Sequence, residues 1–574
     1  MVGLNNQCLF PQRFPNDPIF TQLQKLSHTF SGVIIHDDYG IDTDYRTLVA
    51  DVTYLRALLR EKVPRDWLDN RGFLKSNAGS IGIMTASCHH LVVGFLATAA
   101  LGGKFVPLPI NPKQENFVYM IDKANVRVIL IDSSVPEEPS DIQELLGNGN
   151  GPVQMLSIER SNPNMYSDME IDEDTTIAAK ETALILFTSG STGRPKAAAI
   201  PRSRLYFKIR MDPDELYLMY RPLHWVGTVL PPIGLVLQGG RARSLKSGAY
   251  AAEIWKVLKE GTITGMFISP VYAKTLQEHY EANIRHLSAE EHDHYVHGAS
   301  NLRRVITSGS VMDPSAVEFW KSLTNMPLVA RYASTETGVS VFATSPGDPW
   351  VDRCLGELVN KASIKLSDGD EGHLSVKMPG MFTHYVGDEE ATKAAFDEEG
   401  FFRTGDIVRR VGNKYFFQGR ASSDWIRYSL YKVTVSEVEK ELKALPYISE
   451  AYVLPIMDYE VRELVGAIVR LRGSSNYPGQ ESGHRNPDIN LCKIRQDLSS
   501  KLEIYKLPTI LRILREGEEV PLSVSSKVLK PKLREMYFRL SGYRPKNYSE
   551  PGVEFWEKGV DLKYIHNAGG FASC

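Results

Sequence analysis

The run Phe187-Thr188-Ser189-Gly190-Ser191-Thr192-Gly193-Arg194-Pro195-Lys196 gathers four hydroxyls, two glycines and two cations. Glycine lets the backbone come close to an anion. Successive N–H groups and hydroxyls then form a concave cradle for a polyphosphate, and Arg194 and Lys196 supply the compensating charge. No Gly-Lys-Ser/Thr closes the run, so it is not a Walker A loop. A plain Ser/Gly turn after a buried strand has no need of so many donors. The histidines offer less chemistry. His286, His292, His294 and His297 fall in a charged stretch without matching cysteine or carboxylate spacing, and read as a solvated helix–loop. His89 and His90 precede an apolar helix and read as satisfied by its surroundings. Cys8, Cys88, Cys354, Cys492 and Cys574 are scattered, with neither metal spacing nor a disulfide framework, which favours a reducing compartment.

A phosphate cradle needs a strand to aim it, and Ala183-Leu184-Ile185-Leu186-Phe187 is an apolar run of strand length. Upstream, Val33-Ile34-Ile35, Ile81-Gly82-Ile83-Met84, Phe105-Val106-Pro107-Leu108 and Val126 to Ile131 alternate with helical segments at Tyr45 to Leu59 and Leu91 to Gly103. Downstream, Met266-Phe267-Ile268 and Arg304-Val305-Ile306 continue the rhythm. Such alternation favours parallel sheets covered by helices. The polar stretch 133–176 reads as a connection. After Gly356 short strands with turns predict a small β-subdomain, and after Arg420 a compact α+β unit begins. The 574 residues exceed what one core serves, and a net charge of -3 gives no excess for nucleic acid.

The cradle and the segments after it resemble the adenylate-forming (AMP-binding) superfamily, which includes acyl-CoA synthetases and nonribosomal adenylation domains. The resemblance covers nearly the whole chain. It implies that Thr188, Ser189, Gly190, Ser191, Thr192, Gly193, Arg194, Pro195 and Lys196 hold ATP phosphates, and that Ser308-Gly309-Ser310 lines the adenine pocket. Arg331-Tyr332-Ala333-Ser334-Thr335-Glu336 matches the segment whose Thr and Glu approach the phosphates. Glu336 suits a Mg²⁺ ion, a hard cation that takes oxygen ligands. Thr404-Gly405-Asp406 matches the ribose aspartate, and Gly419-Arg420 the arginine beside it at the junction of the two domains. Lys527, in Ser525-Ser526-Lys527, matches the lysine of the adenylation step. His224, in Pro222-Leu223-His224-Trp225-Val226-Gly227, matches a segment at the acyl pocket.

The spacing of Gly419-Arg420 to Asp424, together with Arg331, resembles the malonyl-CoA and methylmalonyl-CoA synthetase branch. There Arg331, and Arg241 in Gly239-Gly240-Arg241, would grip a distal carboxylate, for which a planar guanidinium is suited. The alternative is that Arg331 pairs with a structural carboxylate. Three positions depart from the superfamily. Ala333 and Ser526 stand where it has glycine, and Trp425-Ile426-Arg427-Tyr428-Ser429-Leu430-Tyr431-Lys432 carries Ser429-Leu430 in place of paired glycines at the thiol entry. Leu430 is expected to crowd that entry, unless the segment takes another path on which Arg427 and Lys432 steer the CoA phosphates.

The expected architecture is α/β: a large N-terminal domain at 1–419 made of two α/β subdomains and a small β-subdomain, then a compact, mobile α+β domain at 420–540 and an extension at 541–574. The resemblance implies an ATP- and Mg²⁺-dependent acid–thiol ligase. It forms an acyl-adenylate and transfers the acyl group to CoA, with domain alternation between the steps and a small dicarboxylate such as malonate as candidate acid. Rival readings are an adenylation enzyme loading a phosphopantetheine thiol on a separate carrier protein, and a degenerate non-catalytic nucleotide-binding homologue. No signal peptide, membrane span or peroxisomal ending is read, so the expected location is cytoplasmic.

Overall fold

Short apolar runs bounded by turn residues become the central strands. The computed structural model describes residues 13–556 except 111–113, 136–138, 147–152, 162–168, 189–194, 207–211, 213, 247–249, 310–311, 313, 325–327, 421–424, 430, 473–488, 522–527, 529, 541 and 545–547. Ser80–Met84 is buried at every position, as a parallel strand covered on both faces must be. It lies between Phe105–Leu108 and Val126–Ile131 in a seven-stranded sheet. At one side of that sheet Thr182–Thr188 pairs antiparallel with Lys196–Pro201. The helix Cys88–Ala100 is buried throughout its length, and its N-cap Ser87 accepts a hydrogen bond from the His90 amide.

A second sheet has thirteen strands among the described residues. Ile35–Asp37, Arg241–Ser244, Leu216–Met219, Gly265–Ile268, Arg304–Ser308 and Leu328–Tyr332 run parallel in that spatial order. Beyond Leu328–Tyr332 the sheet continues antiparallel, so the short strands read as a β-subdomain are joined edge to edge with the second α/β unit. A separate sheet of six strands, with its own core around Ile426, Val453, Ile468 and Leu511, lies between Trp425 and Phe555.

Several expectations are corrected. The stretch 133–176 contains the helix Pro139–Leu146, with Ile142 and Leu146 buried, and the edge strand Gln154–Ser157. The chain after residue 541 carries Val553–Phe555, an edge strand antiparallel to Ile510–Ile513. Cys88 and Cys354 are free and buried. The stretch 473–487, which reads from its Gly, Ser, Asn and Pro content as a mobile insertion, lies outside the described residues. Among the described residues no helix is long and apolar enough to cross a membrane, and no group of three His, Cys, Asp or Glu side chains is placed to hold a metal.

Candidate active site

Backbone pairing brings the two ends of the Thr188–Lys196 run together: they are register partners at one end of their antiparallel pair. Residues Ser189 to Arg194 themselves lie outside the described residues, as do Ser310, Asp424, Leu430 and Lys527. Lys196 Nζ sits 4.9 Å from the centre of the Tyr385 ring. The Tyr385 hydroxyl donates to Glu336 Oε1 at 2.9 Å, so the ring links the cation of one sheet to the carboxylate of the other. Glu336 is buried. It stands in a turn closed from both ends: the Ser334 amide donates to Thr337 Oγ1 at 2.9 Å, and the Thr337 amide to Ser334 Oγ at 3.2 Å.

Ser308 and Arg331 are register partners at the C-terminal ends of adjacent parallel strands, the usual edge for a ligand in such sheets. Below them a cavity of about 460 Å³ opens. Thr188, Ser308, Gly309, Ala333 and Thr335 line its outer part, and the helix Val226–Val236 lines a long wall. Arg331, Arg304 and Tyr217 line it as well. Arg304 is neutralised, with Nη2 3.3 Å from Glu215 Oε1. Arg331 has no hydrogen bond or ion pair among the described residues. Burial, reinforced by the charge of Arg304, pulls its pKa below the ordinary arginine value.

Arg241 does not line this cavity. It opens the strand Arg241–Ser244, opposite Leu216, and the arginine that accompanies Arg331 is Arg304. Sequence reading missed Arg304 because its role depends on Glu215, far away in the chain. His224 also faces elsewhere, into a small cleft beside Thr85, Tyr220 and Leu245. Desolvation lowers its pKa to about 4. The neighbouring Trp225 is the residue that reaches the large cavity. His89 and His90 are only partly satisfied: His89 Nδ1 is 2.8 Å from Thr43 Oγ1 and His90 Nδ1 is 2.5 Å from Asp132 Oδ2, while both Nε2 atoms are buried with no hydrogen bond among the described residues, His89 Nε2 lying 3.1 Å from Asp51 Oδ2.

The six-stranded unit contributes Tyr431, Lys432 and Tyr505 to the cavity lining. Tyr431 stacks on Tyr505 at 4.1 Å and meets Trp225 edge-on at 5.8 Å. Tyr505, from a short 3₁₀ turn, carried no sequence signal. Asp406 is buried between two partners. The Tyr332 hydroxyl donates to Oδ2 at 2.6 Å, and Arg427 Nη2 lies 3.3 Å from Oδ1. Arg420 is the backbone register partner of Asp406. Ser429 has φ +58°, and its amide donates to Val461 O at 2.6 Å, so the backbone keeps a glycine-type path although glycine is absent.

Comparison with known proteins follows this geometry. The family model described as AMP-binding enzyme matches residues 65–386. The acyl-CoA ligase oryP of Aspergillus oryzae is 30% identical over 533 residues, 91% of this chain and 93% of that protein. A malonate–CoA ligase of Arabidopsis thaliana is 26% identical, covering 81% of this chain and 79% of its own. A solved malonyl-CoA ligase, a ternary product complex with methylmalonyl-CoA and AMP bound, shares the fold with a TM-score of 0.65 at 21% identity, over 85% of this chain and 96% of that one. The matched stretch takes in Thr188, Lys196, Arg331 and Glu336 and spans more than half of the sequence, so this chain belongs to the AMP-binding enzyme family.

Proposed function

We propose that the protein is an AMP-forming acid–CoA ligase whose acid carries a second anionic group. The observation that carries the second clause is Arg331, a desolvated guanidinium in the cavity wall with no partner among the described residues. A charge held out of water in this way is costly until an anion answers it. Relatives named as malonate–CoA ligases support the same reading.

The chemistry runs in two steps. A carboxylate oxygen attacks the α-phosphorus of ATP and pyrophosphate leaves. The CoA sulfur then attacks the acyl carbon and AMP leaves. Thr188, Lys196 and the residues between them hold the phosphates, and Lys527 neutralises charge during the first step. Asp406 and Arg420 take the ribose, and Ser308 and Gly309 border the base. Glu336 is a buried carboxylate with no cationic partner among the described residues, and Thr335 adds a hydroxyl beside it, a donor set that fits a hard divalent cation. Mg²⁺ held there would neutralise phosphate charge. In the second step Tyr431, Lys432 and Tyr505 stand at the side from which a thiol reaches the cavity.

The test is pyrophosphate release across a panel of mono- and dicarboxylates, with and without CoA. Release that needs an acid, with thioester appearing only when CoA is added, is the expected result. Silence with every acid would leave a nucleotide-binding protein without ligase activity.

A further inference from the structure

The helix Val226–Val236 borders the cavity along its whole length, from Gly227 in its first turn through Leu230 and Pro231 to Gly234 in its last, with Gln238 just beyond. Eleven residues at about 1.5 Å each make a wall roughly 16 Å long. With C–C bonds of about 1.5 Å, the two carboxyl carbons of malonate stand only roughly 2.5 Å apart. The wall is far longer than such an acid uses.

Two positions on it are bare. A Cβ at Gly227 would meet nothing within 4 Å, and one at Gly234 would meet only Gln238 Nε2 at 3.7 Å. Neither glycine has positive φ, so the backbone does not require them. Glycine weakens a helix interior relative to alanine, so backbone geometry and helix propensity give no reason for either. Seven residues apart, the two share one helical face. What they leave is volume, and part of the wall around it is apolar: Leu235 packs with Ile306 and Tyr217, against Phe267. Of the arginines that line the cavity, Arg304 pairs with Glu215, Arg204 and Arg221 donate to the Gly338 and Gly227 carbonyls, and Arg331 has no hydrogen bond or ion pair among the described residues.

We propose that this bare face is an acyl-chain groove and that Gly234 sets its depth. The acid is amphipathic: an apolar chain lies along the helix, and a second carboxylate meets Arg331. From Gly227 to Gly234 the bare face runs about 10 Å, so at about 1.25 Å of advance per methylene the groove takes a chain of roughly six to ten carbons. The inference rests on the ligase reading above and narrows its substrate class.

The experiment measures kcat/KM for pyrophosphate release with straight-chain mono- and α,ω-dicarboxylates of three to twelve carbons. Affinities of the same acids for the enzyme are measured in parallel by calorimetry. Wild-type enzyme is expected to favour dicarboxylates of six to ten carbons over malonate by at least tenfold. In Gly234→Leu the ratio of long to short acids falls at least tenfold in both readouts. In Arg331→Leu the preference for dicarboxylates over monocarboxylates of equal length disappears. If Gly234→Leu does not fold, Gly234→Ala gives the same shift in smaller measure. Malonate as best acid, or a Gly234 variant that depresses all acids equally, overturns the groove while leaving the ligase intact. Failure of every acid to release pyrophosphate overturns both.

Discussion

Ser429 holds a left-handed backbone, φ +58°, at a buried position. Such a conformation costs a residue with a Cβ about 1–2 kcal/mol, and glycine returns part of that as added freedom in the unfolded chain. Ser429→Gly is therefore expected to stabilise the protein by roughly 0.5–1 kcal/mol, read as a higher urea midpoint with an unchanged slope. The opposite sign would hold for a serine in ordinary extended backbone. His224 makes a second prediction. Desolvation depresses its pKa from 6.5 to about 4, so the folded protein refuses a proton that the unfolded chain accepts. Its contribution is fully present above about pH 6.5 and is lost as pH falls toward 4. His224→Asn should lose less stability than wild type between pH 7 and pH 4.5. Equal losses would show that the ring is not desolvated in solution.

Among the elements, the late strand Val553–Phe555 does more than cover a sheet edge. Glu554 accepts a hydrogen bond from the Leu491 amide at 2.6 Å, at the start of the helix Leu491–Leu498, and Trp556 lies 4.4 Å beneath the Arg495 guanidinium. Glu554→Ala removes a carboxylate from a helix N-terminus and should cost about 1 kcal/mol, measured by thermal unfolding. Glu554→Gln should recover part of the loss. This strand illustrates what the sequence withholds. Val553-Glu554-Phe555 is too short to show periodicity, and its partner Ile510–Ile513 is some forty residues upstream. Gln154–Ser157 hid for a related reason: as an edge strand it buries only Leu156, so its composition resembles a loop. The doubly buried strands around Ile83 and Ile129 were legible because both faces demand apolar residues. At the site, the residues that contact phosphate and ribose in the superfamily could be read one by one. Arg304, Tyr505 and the bare face of the Val226–Val236 helix could not, because each acquires meaning only from chain far away in sequence.

At the scale of the molecule, polar contacts among the described residues join the two parts. Asn116 donates to Glu503 Oε1 at 2.8 Å, Arg462 donates to the Gly309 carbonyl, and Arg427 pairs with Asp406. This arrangement places Tyr431 and Lys432 in the cavity lining, and on the ligase reading proposed above it is assigned to the thiol step. Lys527→Ala should reduce acyl-adenylate formation by about 100-fold or more while sparing the reaction of supplied acyl-adenylate with CoA. Arg427→Ala should do the reverse, slowing thioester formation more than pyrophosphate release in single-turnover assays. Parallel loss of both half-reactions in either variant would sink the assignment of one face to each step. Asp406 gives the arrangement a further consequence. Its two oxygens meet Tyr332 and Arg427, and a carboxylate oxygen carries a second lone pair that a ribose hydroxyl can use. On the ligase reading proposed above, nucleotide and small domain share this one carboxylate, and linkage makes whatever either does to the affinity of the other reciprocal. A nucleotide titration of wild type against Arg427→Ala then measures the sign and size of the grip of the protein on itself.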